Sequence, residues 1–583
     1  MKNIFKIVAL GALVPFTACQ LDETPKDHIR DEDFWKSTNQ VRLYANNFYN
    51  NYLPGDIRAY HTFGPYGKDA DEGSDNMIKV DYDRNNLNGE RQIPASDNNN
   101  WNWASIRNVN YFLGNYHKVP AKFDEYKKYV GEAYFFKSLL YFSLLKKYGD
   151  LPWYEKALTL DDKEELYKER ESRYEIAHKM IADLDKAIEY LPAKTAGESF
   201  RVNKEIAQLL KARIALYEGT WEKYHAGTPF GVVGKDGSDF LKLAADAADA
   251  VINSGAYSLD NEGVENGYWS LFNQTDYSTS REIMLWRKYS PSDGLYTFWA
   301  RYSRLGLGKG FTKSLIDTYL CTDGKPITSS SLYKGDATLV DVVTNRDPRL
   351  NQTMQVNDGK HFITHNSTPP NAFKYPAFYG PNEDKCVTGY QLYKGHNTDQ
   401  TQQEIGKGSA GYIYFRYAEA LLISAEAKAE LGTITQMDID NTINKLRKRV
   451  GMPSLNINAI EKDPNWQFPA LSPIINEVRR ERRVELAIEG YRHDDIWRWA
   501  AADELIVGWK PKGAKKAQFA PFIDKEFTQD IYNALLQDSN GYIDPYQKTL
   551  PSGYQFKVER DYLLPIPIDQ ITLNPKLKQN PGW

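Results

Sequence analysis

Apolar residues recur at three- and four-residue spacing along much of this chain, and that period predicts helices. The clearest spans 125–148, EYKKYVGEAYFFKSLLYFSLLKKY, where apolar positions run round most of the circumference. Such a helix is expected to be buried. Gly149-Asp150-Leu151-Pro152 ends it. Another is predicted at 32–53, with Phe34, Val41, Leu43, Tyr44, Phe48 and Tyr52 as its apolar set. Others follow at 104–119, near 173–190, 203–218 and 238–253, then at 412–431 and 437–450 and within 472–499.

Small residues stand where such helices must approach one another: Ala207, Ala212, Ala244, Ala248, Ala418, Ala425 and Ala429. The pattern is similar to tetratricopeptide helices, although no strict repeat period is visible. The fold expected is mainly α: tetratricopeptide-like helix pairs forming a scaffold, with long loop-rich insertions containing short β-strands. Residues 54–100 are rich in Gly, Asp and Asn and close on Trp101-Asn102-Trp103. Long irregular segments of this kind often carry function. Residues 255–411 are poor in helix signals and rich in Tyr, Gly, Ser, Thr and Asn, and 282–286 reads as a short strand. Residues 505–560 form a second loop-rich region. The expected division is 1–18, 19–31, a helical region 32–254 with a ligand loop at 54–103, an insertion 255–411, and a C-terminal helical region 412–583.

The stretch SPIINEVRRERRVELAIEGYRHDDIWRWA breaks the amphipathic rule, because Arg479, Arg480, Glu481, Arg482, Arg483 and Glu485 crowd into one short run. Gly490 reads as the helix stop. A phosphate site, a metal site at His493, Asp494 and Asp495, or an ion-paired brace are the three readings. The alternating sign argues against phosphate. Glu477–Glu481, Glu481–Glu485 and Arg479–Arg483 are like-charge pairs at i,i+4, so the helix is poorly paired within itself. Arg479, Glu481, Arg483 and Glu485 are therefore expected to meet partners on other segments, where bidentate pairs are strong.

Composition changes the picture in three ways. Lys and Arg total 73 against 77 Asp and Glu in 583 residues, so no global field draws nucleic acid. The length exceeds one ordinary core. Aromatics reach 13%, with 40 Tyr and 13 Trp, and these amphipathic rings suit both a Tyr-built core and wet recognition surfaces. Cys19, Cys321 and Cys386 are too few for a disulfide framework or a metal cluster, and the sequence leaves open whether the last two pair. Residues 1–18, MKNIFKIVALGALVPFTA, read as a secretory signal too short to span a membrane stably. The cysteine that follows resembles a lipobox, which makes Cys19 the expected lipidation site and 19–31 a lipid-anchored tether.

VRRERRVELAIEGYRHDDIWRW (478–499) resembles the signature helix of the SusD/RagB family of Bacteroidetes outer-membrane lipoproteins. The tail from Tyr562, with Pro-Ile-Pro and Gln-Asn-Pro-Gly, resembles that family's ending, and ALYEGTW (215–221) and DTYLCTDGKPI (317–327) follow its order. The resemblance implies a cell-surface binding protein, not an enzyme, that captures glycans and delivers them to a TonB-dependent, SusC-type transporter. It implies no cofactor. Capture of peptides or another nutrient is the alternative, and a surface glycoside hydrolase a further one, although no catalytic motif is present.

Sugar recognition needs flat aromatic faces beside planar polar groups. By the resemblance the ligand surface comes from the loop before the Trp-rich helix start and from the central insertion. The candidates are Asp75, Asn76, Trp101 and Trp103 from the first, and Tyr296, Trp299 and Tyr302 from the second. Trp103 alternatively joins the core one turn before Ile106, and Trp299 with Tyr302 alternatively form one helix's apolar face. Trp221 is a loop anchor or a ligand platform.

Overall fold

The helical period was obeyed closely. The computed structural model describes residues 34–53, 71–96, 100–194, 200–260 and 263–583. The expected leader 1–18, the lipidation site Cys19, the tether 19–31 and part of the ligand loop (54–70 and 97–99) lie outside the described residues. Ten helices organise the rest: α1 (Thr38–Tyr52), α2 (Ala104–Asn115), α3 (Lys127–Tyr148), α4 (Arg173–Tyr190), α5 (Lys204–Tyr224), α6 (Ser238–Asn253), α7 (Tyr417–Glu430), α8 (Ile443–Arg449), α9 (Pro473–Glu485) and α10 (Arg492–Arg498). Several start as helix caps should: Ser37, Ser172, Asn203 and Ser472 each accept from a backbone amide in the first turn.

Each of α3 to α7 packs on the next, α1 and α2 lie against α3, and α9 lies against α7. The seven alanines expected at the crossings are all buried, and glycines set the closest approaches. A Cβ on Gly131 of α3 would fall 2.9 Å from Leu191, just past the end of α4. At the α5–α6 crossing, Gly237 caps α6 with φ +77°, and any side chain there would strike the carbonyl of Gly219 on α5.

Three readings of the pattern need correction. Residues 412–416 are a strand, β6 (Tyr412–Arg416), not the start of α7; its aromatic and β-branched residues pair antiparallel with β2 (Ile283–Arg287). An unbroken apolar run does not reveal which of the two periods it serves. Helix 203–218 continues to Tyr224, which puts Trp221 inside α5, fully buried under the Arg173 guanidinium and against His225. The charged helix stops at Glu485, one turn before Gly490; Ile488 and Gly490 both take positive φ in the turn that follows. Asp71 accepts the amides of Ile488 and Gly490 at 2.7 and 3.1 Å, which satisfies that turn.

The remaining strands are β1 (Met77–Lys79), β3 (Lys309–Phe311), β4 (Phe362–Thr364) and β5 (Asn371–Ala372). β1 pairs with β3 and β4 with β5, both antiparallel. One core lies among the helices; a second lies under the insertion and includes Met77, Trp299, Phe311, Leu350 and Tyr390. Val484, Ala487 and Ile488 also belong to this second core, so the end of α9 joins the two layers. Cys321 and Cys386 are separate, buried thiols, and burial pushes Cys386 up to about 11.

The charges of α9 are buried and paired outward, as its poor internal pairing required. Arg479 meets Glu430 at 3.1 Å on α7. Glu481 takes Arg349 at 2.6 Å and Arg447 at 2.9 Å. Glu485 takes Arg449 at 2.6 Å, Arg416 at 2.8 Å and Arg349 at 3.0 Å. Arg483 meets Asp75 at 3.0 Å. Thus α7, α8, β6, the insertion and the first loop are all tied to one helix. The groups of the metal reading are spent similarly: His493 stacks on Trp497, Asp494 holds Lys146 at 2.6 Å, and Asp495 holds Arg482 and Arg498 at 2.9 Å.

Candidate functional site

The seven candidate residues do not converge. Asp75 is buried between Arg492 at 2.7 Å and Arg483, and also accepts from Gln467. Burial alone would raise its carboxyl, but the two guanidinium ions pull it well below the usual range. Asn76 is buried beside it, donating to Asp71 and accepting from Arg483 Nε, both at 2.7 Å. These two residues therefore belong to the brace, with their polar atoms already engaged. Trp299 is buried in the second core, its indole N–H donating to Gly395 at 2.6 Å. It sits on a one-turn helix, Trp299–Ser303, and the apolar-face reading applies to it. Tyr296 and Tyr302 are half-buried on either side of Phe298, each edge-on to its ring. Trp101 is buried edge-on to Tyr148, and half-buried Trp103 stands edge-on to Tyr154. Both tryptophans line a cleft of about 830 Å³ between α2, the 152–167 segment and the C-terminal tail.

The two regions from which the site was expected do meet, through other residues. β1 runs antiparallel to β3 with Met77 opposite Phe311 and Lys79 opposite Lys309, and the Val80 amide extends the ladder to Gly308 at 3.0 Å. This pairing fastens the first loop to the insertion and opens a cleft of about 800 Å³ beside it. Residues 79–85, Leu307, Gly308, Lys309, Asn382, Glu383 and Glu72 line it. Gly308 has φ +67°, and a Cβ there would lie 2.7 Å from the Asn382 carbonyl, so glycine lets the 382–384 turn close against this wall.

Tyr82 is the aromatic face of this cleft. Its ring is half-buried, edge-on to Tyr546 and Tyr554, with the Arg84 guanidinium 5.0 Å from its centroid. Its hydroxyl donates to Glu90 at 3.2 Å, which fixes the ring plane. Asp83 is fixed by Asn86, whose amide and side chain donate at 2.9 and 2.8 Å. Glu72 is shared between Lys309 and, at 3.6 Å, Lys79. Asp81 and Asn85 stand exposed with no hydrogen bond or ion pair to the described residues. A ring, a stacked guanidinium, a carboxylate and an amide thus share one concave surface, with both signs of charge present.

A SusD family model matches residues 232–583, and a model described as starch-binding associating with outer membrane matches residues 21–216. The chain belongs to the SusD family. Among SusD relatives, it is 24% identical to SusD-like protein P38 of Formosa agariphila over 532 residues, covering 86% of this chain and 91% of that one. A SusD-like carbohydrate-binding protein from Bacteroides fragilis shares the fold with a TM-score of 0.72 at 22% identity, over 94% of this chain and all of the other. A laminarin-binding SusD-like protein superposes with a TM-score of 0.55 at 17% identity, over 94% of this chain and all of that one.

The seven residues expected from the sequence did not include Tyr82, Arg84 and Asn85, which line the β1–β3 cleft. The available signal was Asp81-Tyr82-Asp83-Arg84-Asn85, one ring set among planar polar side chains inside the expected loop.

Proposed function

We propose that the β1–β3 cleft captures glycans at the cell surface and that the protein hands them to a SusC-type, TonB-dependent transporter without cleaving them. The observation that carries this reading is the half-buried Tyr82 ring lining the cleft with Arg84 stacked on it and Asp81 and Asn85 beside it. A pyranose presents an apolar C–H face and a rim of hydroxyls. The ring supplies the first contact, and bidentate planar groups supply the second. Family membership supports the same reading, as do the starch-binding description of one matching model and the laminarin-binding relative. Attachment to the outer membrane would pass through a lipid on Cys19. No helix of the described residues is long and apolar enough to cross a membrane.

The test is isothermal titration with maltoheptaose, laminarin oligosaccharides and the hits of a glycan array. Tyr82→Ala should abolish or sharply weaken binding while the melting temperature stays put. Unchanged affinity in Tyr82→Ala and Asn85→Ala would remove the cleft as the site. New reducing ends after incubation with the bound glycan would show turnover instead of capture.

A further inference from the structure

The second cleft is chemically unlike the first. Its walls are Ile106, Pro152, Leu158, Leu166 and Leu577, with Trp103 and Tyr154. At its mouth Leu160, Tyr167 and Leu573 are 87, 47 and 64% exposed, and Ile568 on the same C-terminal helix, Ile568–Leu573, is 52% exposed. Large aliphatic side chains gathered round a concavity mark an interaction surface. The cleft's aliphatic walls suit an apolar side chain, and Arg107, Asn110, Lys156, Thr159, Gln570 and Asn574 supply its polar groups.

Two polar features narrow the occupant. The charged groups lining the cleft are Arg107 and Lys156, both cations. Lys156 is already held by Asp162. Arg107 spends only its Nε, donating to the Leu158 carbonyl at 3.1 Å, and its terminal nitrogens have no carboxylate among the described residues. On the floor, Asn110 is 1% exposed. Its amide nitrogen donates to the Tyr154 carbonyl at 2.8 Å and the Lys156 carbonyl at 3.4 Å, while its Oδ1 is buried with no donor. A buried acceptor without a partner costs free energy until a donor arrives.

We infer that this cleft docks an extended apolar segment of a partner protein, carrying an aliphatic or aromatic side chain next to an acidic one. The apolar side chain fills the space beside Trp103, a main-chain N–H reaches Asn110 Oδ1, and the carboxylate takes the open fork of Arg107. Charge complementarity at Arg107 selects an acidic peptide over a neutral sugar or an alkyl chain. The inference is independent of the glycan reading and uses none of the β1–β3 residues.

The experiment pans a phage-displayed random dodecapeptide library on the protein, with subtraction against the Leu160→Glu/Leu573→Glu variant. Recovered sequences are then made as synthetic peptides and titrated. The expected result is enrichment of an apolar residue within two positions of Asp or Glu. Arg107→Glu should weaken those peptides at least tenfold, and changing the peptide's acid to Lys should restore binding to that variant. All three substitutions lie on exposed side chains, and an unchanged melting temperature reports that each variant is folded. A library that gives nothing lost on the double variant overturns the inference. So does a charge swap without effect, or a cleft that takes laminarin oligosaccharides or phosphatidylglycerol vesicles while ignoring the peptides.

Discussion

The α9 network and the β1–β3 cleft are built from the same residue types and do opposite things. Around α9, arginines and carboxylates are buried, and each glutamate on α9 meets two or three guanidinium ions. In the cleft, Arg84, Asp81 and Asn85 face solvent, and Tyr82 offers them a ring to work beside. A buried charge must find its partner within the protein or it costs several kcal/mol. An exposed one keeps its hydrogen-bonding capacity for a ligand. Enrichment in Arg and Asp therefore marks structure in one place and binding in the other, and enclosure decides which.

The comparison breaks most readily at Glu485. Glu485→Ala leaves Arg349, Arg416 and Arg449 without their shared carboxylate and should lower stability by about 3–5 kcal/mol, read as a fall in the denaturant midpoint. Asp81→Ala at the cleft rim should change it by about 0.5 kcal/mol or less. Equal midpoints for the two variants would erase the distinction. Next, Trp299→Ala should cost about 3–5 kcal/mol by opening the second core and freeing the Gly395 carbonyl; a melting temperature like that of the parent would return Trp299 to the list of ligand residues.

The pH dependence sharpens the contrast. Burial would raise the Asp75 and Glu485 carboxyls, but their facing arginines depress both well below the ordinary range. A depressed carboxylate stabilises the fold fully above its unfolded pKa of about 4, and that stability is lost as pH falls from there toward the folded value. Unfolding free energy should therefore drop steeply below pH of about 4, and Asp75→Asn should flatten part of that drop while lowering stability at neutral pH. An Asp75→Asn curve parallel to the parent's would refute the assignment. In the cleft, Tyr82→Ala should weaken glycan binding about tenfold or more, roughly 1.4 kcal/mol, with an unchanged midpoint. Arg84→Ala, which removes the stacked cation and its 3.4 Å ion pair with Glu90, should weaken it by about 0.5–1 kcal/mol, again by titration.

The sequence by itself determined most of the helices, the outward pairing of α9 and the family. Those features are local: a period of 3.6 and like charges one turn apart can each be read within about twenty residues. It also marked the two regions that build the cleft. Only the tertiary structure decided which of their residues face it, because the wall is made by pairing Met77–Lys79 with Lys309–Phe311, far away in the chain. Nothing near Asp75 announces that Arg483 and Arg492 will enclose it, and nothing near Trp299 places Gly395 over its indole. Spacing shows which side chains share a face; burial depends on what that face meets, and here the partners come from the far end of the chain.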